Sequence, residues 1–195
     1  MAIEVEKKFQ PSEQQKAELI DGATLISKKQ FTDDYYDTAS YELAKNNKWL
    51  RNRDGVWELK VYVDEDTADE ITDETEILKL INFTDENSVD SLLESKIKII
   101  AKIVTKREKY NKEGLILDFD ETDFGVNKLD IEILVNNDTE KEQAKQRISE
   151  FSKKYSMNEV NLPIKPIMYL QKMKPDLYKE IFGNKEANNE LIKLK

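Results

Sequence analysis

The chain has 195 residues, of which 38% are hydrophobic and 36% charged, and a net charge of −9. That length suits one domain with a sizeable core, and the acidic balance argues against nonspecific nucleic-acid binding. It has no cysteine and no histidine, which excludes disulfides, thiolate or imidazole metal sites, and Ser-His-Asp or Cys-His chemistry.

Catalysis therefore falls to carboxylates, Lys, Arg, Tyr or a bound hard cation. No apolar run approaches the ~20 residues of a membrane span, so no membrane partner is expected. The chain enters a strand almost at once, which predicts no leader segment and a cytoplasmic location.

In chain order, Ile3 to Phe9 reads as a strand with Glu4, Glu6 and Lys8 on one face and Ile3, Val5 and Phe9 on the other. Pro11 and Ser12 open a short helix over 11–20. Gln30 to Thr38 reads as a strand, and Trp49 to Arg53 with Val56 to Val63 as a hairpin turned at Asp54-Gly55. The acidic stretch Asp64 to Glu76 reads as a solvated loop or a lead into another strand, and Asp85 to Leu93 as helical. Ile97 to Tyr110 and Gly114 to Asp120 form a second predicted strand pair, followed by a strand over Leu129 to Val135. Glu140 to Tyr155 has the period of an amphipathic helix, with Ala144, Ile148 and Phe151 on one side. Pro163 to Lys172 is predicted extended, Pro175 to Phe182 a short helix, and the residues after Gly183 a frayed polar tail.

Many strands joined by turns, with few helices, predict an α+β fold built on an antiparallel sheet closed into a barrel. The domain expected is 1–182, with 183–195 as tail.

Strand alternation collects charge on shared faces. Trp49, Arg51 and Arg53 share one face; Glu58, Lys60 and Tyr62 another; Thr105, Arg107 and Lys109 a third. Asp118 pairs with Asp120, and Asp130 with Glu132. Such faces are either solvated or turned into a cavity. Paired carboxylates repel unless a counter-ion lies between them, and amphipathic helices need apolar strand faces to cover. Both favour a barrel with charges inside and helices outside. Carboxylates on one wall suit Mg²⁺ or Mn²⁺, and Arg and Lys on another suit phosphate oxygens.

Glu4-Val5-Glu6-Lys7-Lys8 matches an ExExK motif. Asp34-Tyr35-Tyr36-Asp37-Thr38, Trp49-Leu50-Arg51-Asn52-Arg53, Trp57-Glu58-Leu59-Lys60, Thr105-Lys106-Arg107, Leu117-Asp118-Phe119-Asp120 and Asp123-Phe124-Gly125 follow in order. Together they resemble the CYTH family, also called triphosphate tunnel metalloenzymes, from residue 3 to about residue 180. Tyr169-Leu170-Gln171 is similar to the thiamine-triphosphatase branch.

The resemblance implies an eight-stranded antiparallel barrel with a charged lumen and Mg²⁺-dependent hydrolysis of thiamine triphosphate (Mn²⁺ being a possible substitute). By the same resemblance Glu4, Glu6, Asp118, Asp120, Asp130 and Glu132 bind metal, and Lys8, Trp49, Arg51, Arg53, Lys60, Arg107 and Lys165 bind substrate. Lys60 is its candidate general base, and Glu58 and Glu70 are further tunnel carboxylates. Trp49 is expected either to stack on a cationic ring of the substrate or to pack at the barrel mouth. The branch usually carries Glu where this chain has Asp130. Asp33, Asp34 and Asp37 read as turn and edge residues.

The partner expected is a small-molecule triphosphate, and oligomeric state is not legible in the chain. Inorganic triphosphatase, adenylate cyclase and a non-catalytic triphosphate-binding module stand as alternative functions.

Overall fold

The computed structural model describes residues 3–64, 67–93, 95–158, 160 and 162–183. Its strands are β1 (Ile3–Phe9), β2 (Thr24–Thr38), β3 (Lys48–Arg53), β4 (Val56–Asp64), β5 (Thr67–Ile71), β6 (Ile97–Lys112), β7 (Leu115–Thr122) and β8 (Asn127–Val135). Its α-helices are α1 (Glu13–Ile20), α2 (Glu42–Lys45), α3 (Glu74–Leu80), α4 (Lys141–Lys154), α5 (Lys165–Met173) and α6 (Pro175–Phe182). The strands are hydrogen-bonded in the order β1-β5-β4-β3-β2-β6-β7-β8, which returns to its start as a closed barrel. The α+β antiparallel barrel expected from strand alternation is therefore the observed fold. No helix of the described residues is long and apolar enough to cross a membrane.

The described residues form two compact units, one within Thr32–Ile103 and 163–183 and one within 3–31 and Val104–Leu162. In the first, β2, β3, β4 and β5 pair in sequence. One face of this sheet buries Leu50, Trp57, Leu59 and Ile71 with Ile77 and Leu78 of α3. The Trp57 indole N–H donates to Asp90 Oδ1 at 2.8 Å, so the ring is buried with its polar atom satisfied. The β3–β4 hairpin turns at Asp54 and Gly55, both at positive φ (49° and 93°), as a tight two-residue connection requires.

In the second unit, β1 pairs with β8, β8 with β7 and β7 with β6. Val5, Phe9, Leu117, Leu129 and Ile131 line one face. Ala144, Ile148 and Phe151 of α4 cover it, with Leu19 of α1. The predicted amphipathic stripe of α4 is thus the surface that meets the sheet. Ser12 starts α1 with a capping box: its side chain accepts from Gln15 N while Gln15 Oε1 accepts from Ser12 N.

Three local expectations are corrected. The helix expected over Asp85 to Leu93 is only a 3₁₀ turn at Asp90–Leu92. The helix instead follows β5, at Glu74–Leu80, starting in the last three residues of the acidic stretch Asp64 to Glu76, which reads in the sequence as a solvated loop or a lead into another strand and also holds β5. There Asp73 accepts from Glu76 N, and Glu74 and Glu76 sit in the first turn, where the helix dipole favours negative charge. The acids are a helix start, and Ile77 and Leu78 supply its buried side.

The segment expected to be extended from Pro163 is helical from Lys165 to Met173, because Pro166 sits in the first turn, where its missing N–H costs nothing. Finally, β2 begins at Thr24, six residues before Gln30; its first seven residues are largely exposed and carry no burial pattern. Residues 184–195 of the expected tail lie outside the described residues.

Candidate active site

The register of the second unit decides which charged side chains meet. Opposite Glu6 lies Glu132, and opposite Lys8 lies Asp130. Asp130 also faces Asp118, and Lys128 faces Asp120. On β6, Arg107 is opposite Asp120 and Lys109 opposite Asp118. With Glu4, two residues before Glu6, these side chains share the face turned away from α4. Six carboxylates and four cations are thereby gathered on one side of four strands.

Their contacts are specific. Arg107 donates from Nε to Asp120 Oδ1 at 2.6 Å and from Nη2 to Asp120 Oδ2 at 2.7 Å, a forked pair. Its Nη1 also meets Asp118 Oδ2. Lys109 Nζ lies 2.9 Å from Glu132 Oε1 and 3.2 Å from Asp118 Oδ2. Lys8 donates to Glu6 Oε1 at 2.8 Å, and Lys128 Nζ is in contact with Asp130 Oδ2.

Burial and crowding perturb these groups. Burial pushes the Glu132 carboxyl up, and the adjacent Glu4 carboxyl pushes it further, to about 9. Burial likewise raises Asp118, against the opposing pull of Arg107 and Lys109. Burial would lower Lys128, but Asp130, Asp120 and Glu6 more than reverse that. Lys109 is also raised: burial opposes it, and Glu132 and Asp118 prevail.

A divalent cation is what carboxylates in this density suit, as hard oxygen donors. Asp118 Oδ1 and Asp130 Oδ1 are buried and accept no hydrogen bond, and Glu132 is driven toward its neutral form by burial and Glu4. The donor set therefore fits such an ion. Among the described residues, no three acids already stand in a metal-holding arrangement; the ion pairs above turn the carboxylates toward Arg and Lys.

The first unit carries its own charged face. Arg51 is opposite Tyr35 and Glu58, Arg53 opposite Asp33, Trp49 opposite Lys60, and Lys60 opposite Glu70. Asp33, fully buried, accepts from Arg53 Nε at 2.6 Å and Nη2 at 3.2 Å. Arg51 Nε and Lys165 Nζ each lie 3.8 Å from it. Lys165 is the first residue of α5, which brings a C-terminal lysine to this strand face. Arg51 also contacts Glu58 Oε1 and lies 3.3 Å from Glu70 Oε1. Lys60 Nζ stands 5.7 Å from the Tyr62 ring centre. Trp49 is 3% exposed and packs edge-on against Tyr35, with ring centres 6.3 Å apart.

All fifteen residues singled out from the sequence lie on one of these two faces, Glu4, Glu6, Lys8, Arg107, Asp118, Asp120, Asp130 and Glu132 on the second unit's and the remainder on the first's. Sequence reasoning misses three participants. Asp33, expected as an edge or turn residue, is instead the buried anchor of Arg53. Lys109 falls on the charged face by alternation, but no motif singles it out. Lys128 precedes the predicted start of its strand, so alternation does not extend to it. For Asp37 the turn reading holds, since its carboxylate accepts from the backbone N–H groups of Thr38, Leu43 and Ala44.

Residues 2–163 match the CYTH domain. The chain belongs to the CYTH family. It is 31% identical to the thiamine-triphosphatase of Homo sapiens over 206 aligned positions, covering 92% of this chain and 89% of that protein. The thiamine-triphosphatase of Macaca fascicularis is 30% identical with the same coverage.

Among solved structures, a protein of Pyrococcus horikoshii OT3 matches with a TM-score of 0.59 and 21% identity, covering 80% of this chain and 92% of that one. A putative adenylyl cyclase from Hippeastrum, described as having a dominant triphosphatase activity, matches with a TM-score of 0.59 and 20% identity, covering 90% and 98%. At such identities the structural matches speak for the fold alone.

Proposed function

We propose that this CYTH protein is a Mg²⁺-dependent hydrolase that converts thiamine triphosphate to thiamine diphosphate and phosphate. The observation that carries the proposal is the second unit's face, where six carboxylates and four cations are held on adjacent strands. Oxygen donors for a hard metal and fork-shaped donors for phosphate are the two things a metal-triphosphate complex demands. Similarity to two thiamine-triphosphatases at 30–31% identity supports the choice of substrate.

In this reading Glu4, Glu6, Asp118, Asp120, Asp130 and Glu132 supply the metal's oxygen donors. When bound, the ion neutralises phosphate oxygens and the charge that develops at the transferring phosphoryl group. Lys8, Arg107, Arg51, Arg53 and Lys165 bind phosphate oxygens, while Glu58 and Glu70 hold Arg51 in place. Lys60 contacts the phosphates and takes the proton from the attacking water. The water oxygen bonds to the terminal phosphorus as the bond to the bridging oxygen breaks, and the bridging oxygen leaves on the diphosphate.

Inorganic triphosphate is the second reading, and the position of Trp49 favours it: the ring is buried against Tyr35, as a packing residue would be. Phosphate release with Mg²⁺ from thiamine triphosphate, inorganic triphosphate and ATP, each with and without EDTA, tests the proposal. Strong preference for thiamine triphosphate, abolished by EDTA, is the expected result. Preference for inorganic triphosphate selects the second reading. Release from none of them overturns hydrolysis and leaves a binding module or a cyclase.

A further inference from the structure

Lys128 has no place in the proposed reaction, yet it is among the most enclosed cations of the described chain. It is 5% exposed, stands on β8 opposite Asp120, and touches Asp130 Oδ2. Asp120, Asp130 and Glu6 all act on its charge. A lysine is costly to bury and tolerated only where anions surround it. Here it is delivered to those anions by its own strand, two residues before Asp130 on the same face.

The other cations of this face differ in placement. Arg107 and Lys109 are less enclosed, with side chains 17% and 28% exposed against 3% for Lys128. Lys8, also enclosed, is committed to Glu6.

We infer that Lys128 is a tethered counter-ion occupying a cation position in the carboxylate cluster, which withdraws Asp130 from the donor set proposed above: Asp130 is committed to the ammonium, and a divalent ion relies on the other five carboxylates. The inference rests on the reading of this face as a metal site. It also accounts for the shorter acid at position 130. A carboxylate that answers a neighbouring lysine on its own strand has no need of the reach that Glu would add.

The consequence is competition: an ammonium held here repels an arriving divalent ion and withholds one carboxylate from it. Mn²⁺ titration of the purified full chain followed by electron paramagnetic resonance reads this directly, without turnover. Lys128→Gln is expected to bind Mn²⁺ about tenfold more tightly or better, and Lys128→Arg to match the wild type. In Lys128→Gln/Asp130→Asn, where both charges are gone, wild-type affinity is expected because Asp130 was never a ligand.

Equal or weaker Mn²⁺ binding by Lys128→Gln overturns the inference. Should that variant not fold, the double variant decides: unchanged affinity supports the inference, and a marked loss shows Asp130 to be a ligand and overturns it. Wild-type binding separates this from the functional reading. If the wild type takes up no Mn²⁺ but Lys128→Gln does, the face is a metal site closed by the lysine, so the counter-ion stands and the proposed metal-dependent reaction falls; if neither takes up Mn²⁺, both fall.

Discussion

Asp33 grips Arg53 at two points, Oδ1 to Nε at 2.6 Å and Oδ2 to Nη2 at 3.2 Å, from a fully buried position in β2. Arg51 and Lys165 stand 3.8 Å from the same carboxylate. One acid thus orients three of the cations proposed to hold phosphate. Asp33→Asn keeps the shape and removes the charge, leaving the part-buried Arg53 and the buried Arg51 without that counter-charge. A loss of about 3–5 kcal/mol is expected in urea unfolding, together with a higher KM for the triphosphate.

The pH dependence of that loss follows from its sign. Burial alone would raise the Asp33 carboxyl, but Arg51, Arg53 and Lys165 outweigh burial and hold it below the usual range. Its folded value is therefore below its unfolded value. The stabilisation is complete above the unfolded value of about 4 and fades as pH falls through the folded one. The wild type and Asp33→Asn should differ most in urea midpoint near pH 6–7 and converge in acid below about pH 4. A difference that persists unchanged to pH 3 would show that the charge of Asp33 is not what stabilises.

Glu6 tests the metal-binding face. Glu6→Gln preserves volume and removes the negative charge next to Lys8. Mn²⁺ affinity should fall about tenfold or more, and Mg²⁺-dependent phosphate release should fall with it. Unaltered affinity with intact circular dichroism would remove Glu6 from the metal's donor set.

Trp49 separates the two candidate substrates. If its ring stacks on a cationic heterocycle, Trp49→Ala should lower kcat/KM for thiamine triphosphate by roughly 5–30-fold, the equivalent of ~1–2 kcal/mol. Inorganic triphosphate, having no ring, should be hydrolysed at nearly the wild-type rate. Equal losses on both substrates would reduce Trp49 to the packing partner of Tyr35.

Ile148 tests the apolar side of the same sheet. It is fully buried on α4 against the second unit's strands, so Ile148→Ala should cost about 2–5 kcal/mol. Thermal unfolding should move down while Mn²⁺ affinity stays constant at temperatures where the chain is folded.

Strand alternation makes most of the barrel and its charged faces legible in the sequence. Glu4-Glu6-Lys8, Arg51-Arg53 and Asp118-Asp120 fall on shared faces because a strand leaves no other choice, and the Asp54-Gly55 pair marks one hairpin by its turn chemistry. What stays hidden depends on context. Asp73, Glu74 and Glu76 read as part of a solvated loop or a lead into another strand because an N-cap is recognised only once the helix after it is known. Pro166 suggests an extended chain, although the first turn of a helix accommodates proline equally well. Asp33 looks like an edge acid since its three cations come from β3 and α5, far away in sequence. Lys128 falls just outside a predicted strand that starts one residue after it.

The charged face of the second unit is also an exercise in electroneutrality. With Glu4, Glu6, Asp118, Asp120, Asp130 and Glu132 all ionised against Lys8, Arg107, Lys109 and Lys128, its formal sum is −2, the deficit that one divalent ion cancels. Without that ion, the proton retained at Glu132 up to about pH 9 halves the imbalance. Hydrogen ion is then a provisional tenant of the place the proposed metal would take.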